Sequence, residues 1–213
     1  MSSALGITST VFVVDDDEFV REALETLIQL AGWQPLTFAS ADLFLASKPI
    51  MGPSCLVLDI NLPGLSGLDL QSRIGPERDD MPIIFITGHG DVPMSVKAMK
   101  AGAVEFLMKP FGEEVLRDAI AAALERSRAT IGAQAELRAI RARYETLSPR
   151  EREVMAGVVA GLLNKQVGGE LGISEITVKK HRGRMMEKMG ASSLPELVTM
   201  NARLGNPPAA RCN

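Results

Sequence analysis

Three aspartates, a threonine and a lysine stand where short apolar runs end. Asp15 and Asp16 follow TVFVV at 10–14, Asp59 follows CLVL at 55–58, Thr87 follows PIIFI at 82–86, and Lys109 comes just after VEFL at 104–107. Carboxylates brought close together repel, and the two remedies are raised pKa values or a bound cation. Oxygen-only ligands at a solvent-facing edge suit Mg²⁺, or another hard divalent ion such as Mn²⁺, which keeps several waters and takes one or two carboxylates with phosphate oxygens. A hydroxyl at Thr87 and an ammonium at Lys109 on the same edge would hold the oxygens of a phosphoryl group delivered to Asp59. Each residue alone says little, because an acidic run such as 15–18 before a helix is equally a favourable N-terminal charge cluster. Their joint placement is the informative feature.

That placement requires parallel strands. The β-branched run at 10–14 and the short runs at 35–38, 55–58, 82–86 and 104–107 are each followed by helical spacing, at 19–31, 41–46, 65–74, 93–101 and 113–124. In the first helix Val20, Leu24, Leu27, Ile28 and Ala31 share a face and Gly32 is the stop signal. Five β/α repeats within about 125 residues predict a five-stranded, doubly wound parallel sheet of flavodoxin-like type, since right-handed crossovers leave few other topologies. Strand C-termini are where ligand chemistry collects in such sheets. Leu62-Pro63-Gly64 continues neither strand nor helix, so Asp59 sits where the central strand stops.

The net charge of −3 hides an asymmetry: residues 1–128 carry 10 Lys and Arg against 18 Asp and Glu, and residues 146–213 carry 10 against 6. Polyanion binding is therefore expected only at the C-terminal end. Cys55 and Cys212 form no framework and are read as structural or incidental in a reducing compartment. No basic segment precedes the first apolar run, and no run approaches the roughly 20 apolar residues of a membrane span, so a soluble cytoplasmic protein without membrane contact is expected.

The chain divides as 1–126, a helical linker at 127–145, a four-helix all-α module at 146–204 and a disordered tail at 205–213. Helices are predicted at 149–160, 164–171, 175–189 and 194–204, split by Gly161, Gly172-Ile173-Ser174 and Gly190-Ala191-Ser192. Ser174 is an N-cap, and the helix after it carries Lys179, Lys180, His181, Arg182, Arg184 and Lys188 opposite Val178, Met185 and Met189. One apolar and one cationic face is what a groove-reading helix requires, although a solvated charged helix looks the same in isolation. The tight turn at 172–174 and the Asn164-Lys165 helix start, a phosphate clamp in prospect, favour DNA. Gly168 and Gly169 are expected to weaken their helix by about 1 kcal/mol each against Ala.

The motifs VVDDDE at 13–18, LDINLPGLSG at 58–67, TGHGD at 87–91 and KPF at 109–111 resemble the receiver domain of two-component response regulators. The resemblance implies that Asp59 accepts a phosphoryl group from a sensor histidine kinase. It also implies that Asp15, Asp16, Asp59 and the main-chain carbonyl of Asn61 hold Mg²⁺, and that Thr87 and Lys109 bind the phosphoryl oxygens. Phe106 would change rotamer as Thr87 moves, Lys109-Pro110 would be cis, and the small Gly88 would leave the acyl phosphate open to donor and water. No catalysis is implied beyond this transfer and slow hydrolysis. Pro93, Met94, Val96 and Ala98 would supply apolar groups to a dimerisation face.

LSPRERE at 147–153, GLLNK at 161–165, LGISEITVKKHRGRMMEKMG at 171–190 and SLPELV at 193–198 resemble the LuxR/FixJ-type helix-turn-helix. By that resemblance Lys179, Lys180 and the Gly183 position face the major groove, with Lys165, Thr177 and Arg182 towards phosphates. Arg184 adds charge where a shorter polar residue is common, and His181 is assigned to packing. Together the halves look like a FixJ/NarL-class regulator of the FixJ-like branch: a transcription factor that binds double-stranded DNA as a homodimer on phosphorylation, with RNA polymerase a further candidate partner. A Mg²⁺-dependent phosphatase using Asp59 is the competing reading. Such enzymes usually place a second acid two residues on, where Asn61 stands. A third reading, in which the basic module docks protein or RNA, fits the helix-turn-helix spacing less well.

Overall fold

The computed structural model describes residues 9–48, 50–74, 78, 80–88 and 92–205. Residues 89–91 of the TGHGD motif, Cys212 and the expected tail beyond residue 205 lie outside these. Two compact units divide between Gly132 and Ala133.

In the first unit five strands, β1 (Thr10–Val14), β2 (Gln34–Phe38), β3 (Ser54–Asp59), β4 (Ile83–Thr87) and β5 (Glu105–Met108), form one parallel sheet in the order β2-β1-β3-β4-β5. Helices α1 (Glu18–Leu30), α2 (Ala41–Leu45), α3 (Gly67–Ile74) and α4 (Val92–Lys100) connect them, and α5 (Glu113–Glu145) follows. β1, β3 and β4 are buried throughout, as expected of strands covered on both faces. Alternation along each strand sends side chains to opposite faces. Phe12, Val14, Leu56, Leu58 and Phe85 pack with Ala41, Phe44, Leu70, Ile74 and Ala98. Val11, Val13, Val57, Ile84 and Ile86 pack instead with Leu24, Ile28, Leu116, Ile120 and Leu124. Helices α2, α3 and α4 therefore cover one face of the sheet, and α1 with α5 the other. Chain order reverses direction at β1/β3, so the crevice at a switch point opens between Asp15 and Asp59.

The helix after β5 does not stop near Leu124 but runs unbroken to Glu145. No Gly or Pro punctuates it except Gly132, which a helix tolerates. Its last turns carry Ile140 and Tyr144, which join the core of the second unit. That unit holds α6 (Pro149–Val159), α7 (Asn164–Leu171), α8 (Glu175–Met189) and α9 (Leu194–Arg203) around Val154, Met155, Val158, Val167, Val178, Met185, Met189 and Leu197. Among the described residues no helix is long and apolar enough to cross a membrane.

The glycine pair in α7 behaves differently at its two positions. A Cβ on Gly168 would lie 2.8 Å from the Ile173 carbonyl oxygen, whereas one on Gly169 would meet nothing within 4 Å. Gly168 is thus required for α7 to pack against the turn into α8, which corrects the expectation that both glycines merely weaken the helix. Gly169→Ala should stabilise the protein by about 1 kcal/mol and Gly168→Ala should destabilise it by about 1–3 kcal/mol. Urea unfolding of the full chain followed by circular dichroism reads the two opposite signs.

Candidate functional site

Asp15, Asp16, Asp59, Thr87 and Lys109 converge at the C-terminal edge of the sheet. Asp15 is fully buried, Asp59 nearly so, and Asp16 is exposed. One carboxylate oxygen from each of the three lies within 4.8 Å of the others. Lys109 Nζ donates to Asp15 Oδ2 at 2.6 Å and to Asp59 Oδ2 at 3.0 Å. Burial pushes the Asp15 carboxyl above its ordinary value, against the pull of the Lys109 ammonium and the Asp17 amide. Burial also opposes the Lys109 charge, but its hydrogen bonds to Asp15 and Asp59 outweigh this and leave its pKa raised. An acidic triad balanced by one ammonium is short of positive charge, and its oxygen-only donors fit a hard divalent cation.

The acidic run 15–18 divides by role. Asp17 caps α1, its Oδ1 accepting the Phe19 N–H at 2.9 Å, and Glu18 sits in the first turn. Only Asp15 and Asp16 face the site cluster. Arg21, which no motif marks, holds this loop by donating from Nη1 to the main-chain carbonyls of Asp15 at 2.8 Å and Asp16 at 2.9 Å.

Asn61 is positioned more fully than its motif position suggests. Its amide N–H donates to Asp59 Oδ1 at 3.1 Å, and its side-chain Nδ2 donates to Thr87 Oγ1 at 3.0 Å. The threonine hydroxyl is thereby tied to the loop that follows Asp59. Thr87 is fully buried, and an added Cβ on Gly88 would meet nothing within 4 Å, so the approach beside it is open. Phe106 is half-buried against the Phe12 side of the sheet, opposite Phe85 in register, and Lys109-Pro110 is cis. On α4, Ala98 is wholly buried and belongs to the core, which removes it from the expected outer apolar face. Val92, Val96 and Met99 are exposed, and so is Met108 on the edge strand β5.

Gly67 is a residue whose importance only the fold reveals. A Cβ there would stand 2.4 Å from the Asp59 carbonyl oxygen and 3.0 Å from Ile60 Cα, and the Gly67 N–H donates to the Ile60 carbonyl at 3.0 Å. Helix α3 can start this close to the Asp59 backbone only without a side chain.

In the second unit α8 is capped by Ser174, whose Oγ accepts the Thr177 N–H at 3.2 Å and pairs with the Thr177 hydroxyl at 2.8 Å. Lys180 and Arg184 are exposed, and Lys179 forms an exposed ion pair with Glu175 at 3.0 Å. Arg182 is half-buried and donates from Nη1 to Asn164 Oδ1 at 3.0 Å, joining α8 to the start of α7 beside exposed Lys165. Gln166 Oε1 accepts the Leu163 N–H at 2.8 Å, but Leu163 itself offers no side-chain cap, which leaves helix N–H groups of the kind that bind phosphate. Lys188 departs from the cationic face: its Nζ reaches Glu151 Oε2 at 2.6 Å and the Thr146 carbonyl at 3.2 Å. His181 is half-buried, and its Nδ1 is buried without a hydrogen-bond partner.

Buried Glu151 accepts from Lys188 and from the Ser148 N–H, and these bonds hold its pKa below the ordinary 4.5. A carboxyl with a depressed folded pKa contributes stability above its unfolded value and loses it as pH falls through the folded one. Unfolding followed between neutral pH and about pH 3 should therefore show acid destabilisation that is smaller in Glu151→Gln than in wild type, with the variant less stable near neutrality.

A parallel five-stranded sheet with an acid-lined C-terminal edge, followed by a capped helix-turn-helix, defines a receiver joined to a DNA-binding module. Residues 11–121 match the response regulator receiver domain, and residues 145–201 match the LuxR family of bacterial regulatory proteins. The chain belongs to the two-component response regulators of the FixJ/NarL class, FixJ-like branch, and is a DNA-binding transcription regulator. It is 51% identical over 195 residues to Nodulation protein W of Bradyrhizobium diazoefficiens, covering 92% of this chain and 86% of that protein. It is 46% identical over 191 residues to the transcriptional regulatory protein FixJ of Rhizobium meliloti, covering 90% and 94%. Among solved structures, response regulator StyR aligns with a TM-score of 0.81 at 45% identity, covering 92% of this chain and 99% of that one.

Proposed function

We propose that Asp59 is the phosphoacceptor and that its phosphorylation by a sensor histidine kinase drives dimerisation and tighter DNA binding. The observation that carries this reading is Lys109 Nζ bridging Asp15 and Asp59 at an edge where Asn61 also ties down Thr87. In the transfer an Asp59 carboxylate oxygen forms a new P–O bond while the bond from phosphorus to the donor's leaving group breaks. Asp15, Asp16, Asp59 and the Asn61 carbonyl would hold Mg²⁺, or Mn²⁺, whose charge would offset that gathering on the phosphoryl oxygens. Lys109 exchanges a carboxylate oxygen for a phosphoryl oxygen, and the Thr87 hydroxyl donates to another. Thr87 gives up its bond to Asn61 as it moves inward, and half-buried Phe106 fills the vacated volume. Val92, Val96, Met99 and Met108 then supply the apolar part of a dimer face. Residues 1–126 serve as the receiver, 127–145 as the helical connection and 146–204 as the DNA-binding domain, in the cytoplasm.

On DNA, Lys179, Lys180 and the Gly183 position face the major groove, Lys165, Thr177 and Arg182 take phosphates, and Arg184 adds cationic charge. Lys165→Ala should weaken binding to all sequences and flatten the salt dependence by about one unit, whereas Lys180→Ala should also relax sequence preference. Salt-titrated binding to specific and random duplexes separates the two. The reading as a whole is tested by sedimentation of wild type and Asp59→Asn with acetyl phosphate and Mg²⁺. Only wild type should shift to dimer, and equal monomer fractions would refute it.

A further inference from the structure

The first turn of α8 carries an apolar side chain in an unexpected place. Ile176 is 80% exposed, although the helix buries Val178, Met185 and Met189 on its core side. Counting four and seven residues on from Ile176 gives Lys180 and Gly183, so these three share the stripe facing away from the core. Lys179 and Arg184, both exposed, flank that stripe. A Cβ on Gly183 would meet nothing within 4 Å, so the stripe is cleared beyond Lys180. Exposed apolar side chains are common on this chain, but Ile176 stands among cations on the outward stripe of α8, and that charge selects a polyanion as its occupant.

Double-stranded DNA offers one apolar feature in the major groove, the 5-methyl group of thymine. We infer that Ile176 packs against a thymine methyl in each half-site and is a specificity-determining residue beyond the lysines of the same helix. The inference rests on the DNA-binding reading of α8. Lys179, Lys180 and Arg184 supply charge, while Ile176 supplies discrimination that charge lacks, because phosphate contacts carry no base information. Gly183, bearing no side chain, lets the duplex approach closely enough for a residue in the first turn of the helix to touch a base edge.

The test uses the full chain, treated with acetyl phosphate and Mg²⁺, to select duplexes from a random-sequence pool. In the tightest duplex each thymidine is then replaced in turn by deoxyuridine, which keeps pairing and loses only the methyl. Wild type should lose affinity about fourfold at one position of each half-site, the worth of one buried methyl. Ile176→Ala should bind the thymidine duplex at least as weakly as wild type binds the deoxyuridine one, and should not distinguish the two. Since Ile176 is exposed, this variant keeps its fold, which its melting curve checks. Wild type indifferent to every replacement, or Ile176→Ala discriminating as sharply as wild type, would overturn the assignment while leaving DNA binding intact. Selection of no duplex at all would overturn it together with the DNA-binding reading.

Discussion

Asp59→Asn is expected to abolish incorporation of acid-labile phosphate from acetyl phosphate and Mg²⁺, with the rate falling by at least about 100-fold. An amide oxygen at the same place is a poor nucleophile, and the acyl phosphate cannot form on it. The substitution should cost little stability. Lys109 retains its 2.6 Å bond to Asp15, and one of three mutually repelling carboxylates is removed. Asp15→Asn makes the informative comparison, because it keeps the proposed nucleophile and removes a carboxylate proposed to hold the cation. Its labelling should be slow but should respond to raised Mg²⁺ or Mn²⁺, whereas that of Asp59→Asn should not. Autoradiography of the full chain after timed exposure to labelled acetyl phosphate reads both, and retained labelling in Asp59→Asn would place the acceptor elsewhere.

Gly67→Ala should slow the same reaction by roughly 100-fold without touching any group that binds phosphate or cation, since a displacement of about 1 Å at a reacting centre costs that much. The added methyl meets the Asp59 carbonyl at 2.4 Å, a separation that backbone atoms must relieve. Either α3 shifts outward or the end of β3 that bears Asp59 rotates away from Asp15 and Lys109. The accompanying loss of stability is about 1–3 kcal/mol, that of an overpacked core. Urea unfolding alongside labelling separates the two effects: a folded but slowly labelled variant is the expected result, and wild-type labelling would show that the loop absorbs the methyl.

Much of the architecture was legible because it rests on local pattern. Runs such as Thr10–Val14 are apolar and β-branched enough to be buried on both faces, and Gly172 and Gly190 end α7 and α8 where left-handed caps require them. The convergence of Asp15, Asp59, Thr87 and Lys109 was readable because parallel strands must end at one edge. What escaped depends on contacts between distant residues. The Asn61–Thr87 bond spans 26 positions and the Lys188–Glu151 bond 37, and neither leaves a trace in spacing. Lys188 looked like part of a cationic face because helical periodicity gives direction but not reach. Gly67 and Gly168 looked like ordinary or poor helix residues, since only assembled neighbours reveal a backbone carbonyl where the Cβ would go. Arg21 reads as one more charge on an amphipathic helix until its guanidinium meets the Asp15 and Asp16 carbonyls.

Coupling between the two units is what the proposed switch requires, and differential affinity is its only thermodynamic content. The direct measurement is the affinity of the full chain for a selected paired half-site duplex at fixed salt, with and without acetyl phosphate and Mg²⁺, for wild type and Asp59→Asn. Wild type should bind about tenfold or more tightly with the phosphodonor, and Asp59→Asn should show one affinity under both conditions. Equal affinities for wild type with and without the donor, under conditions where Asp59 is labelled, would contradict a switch driven from Asp59.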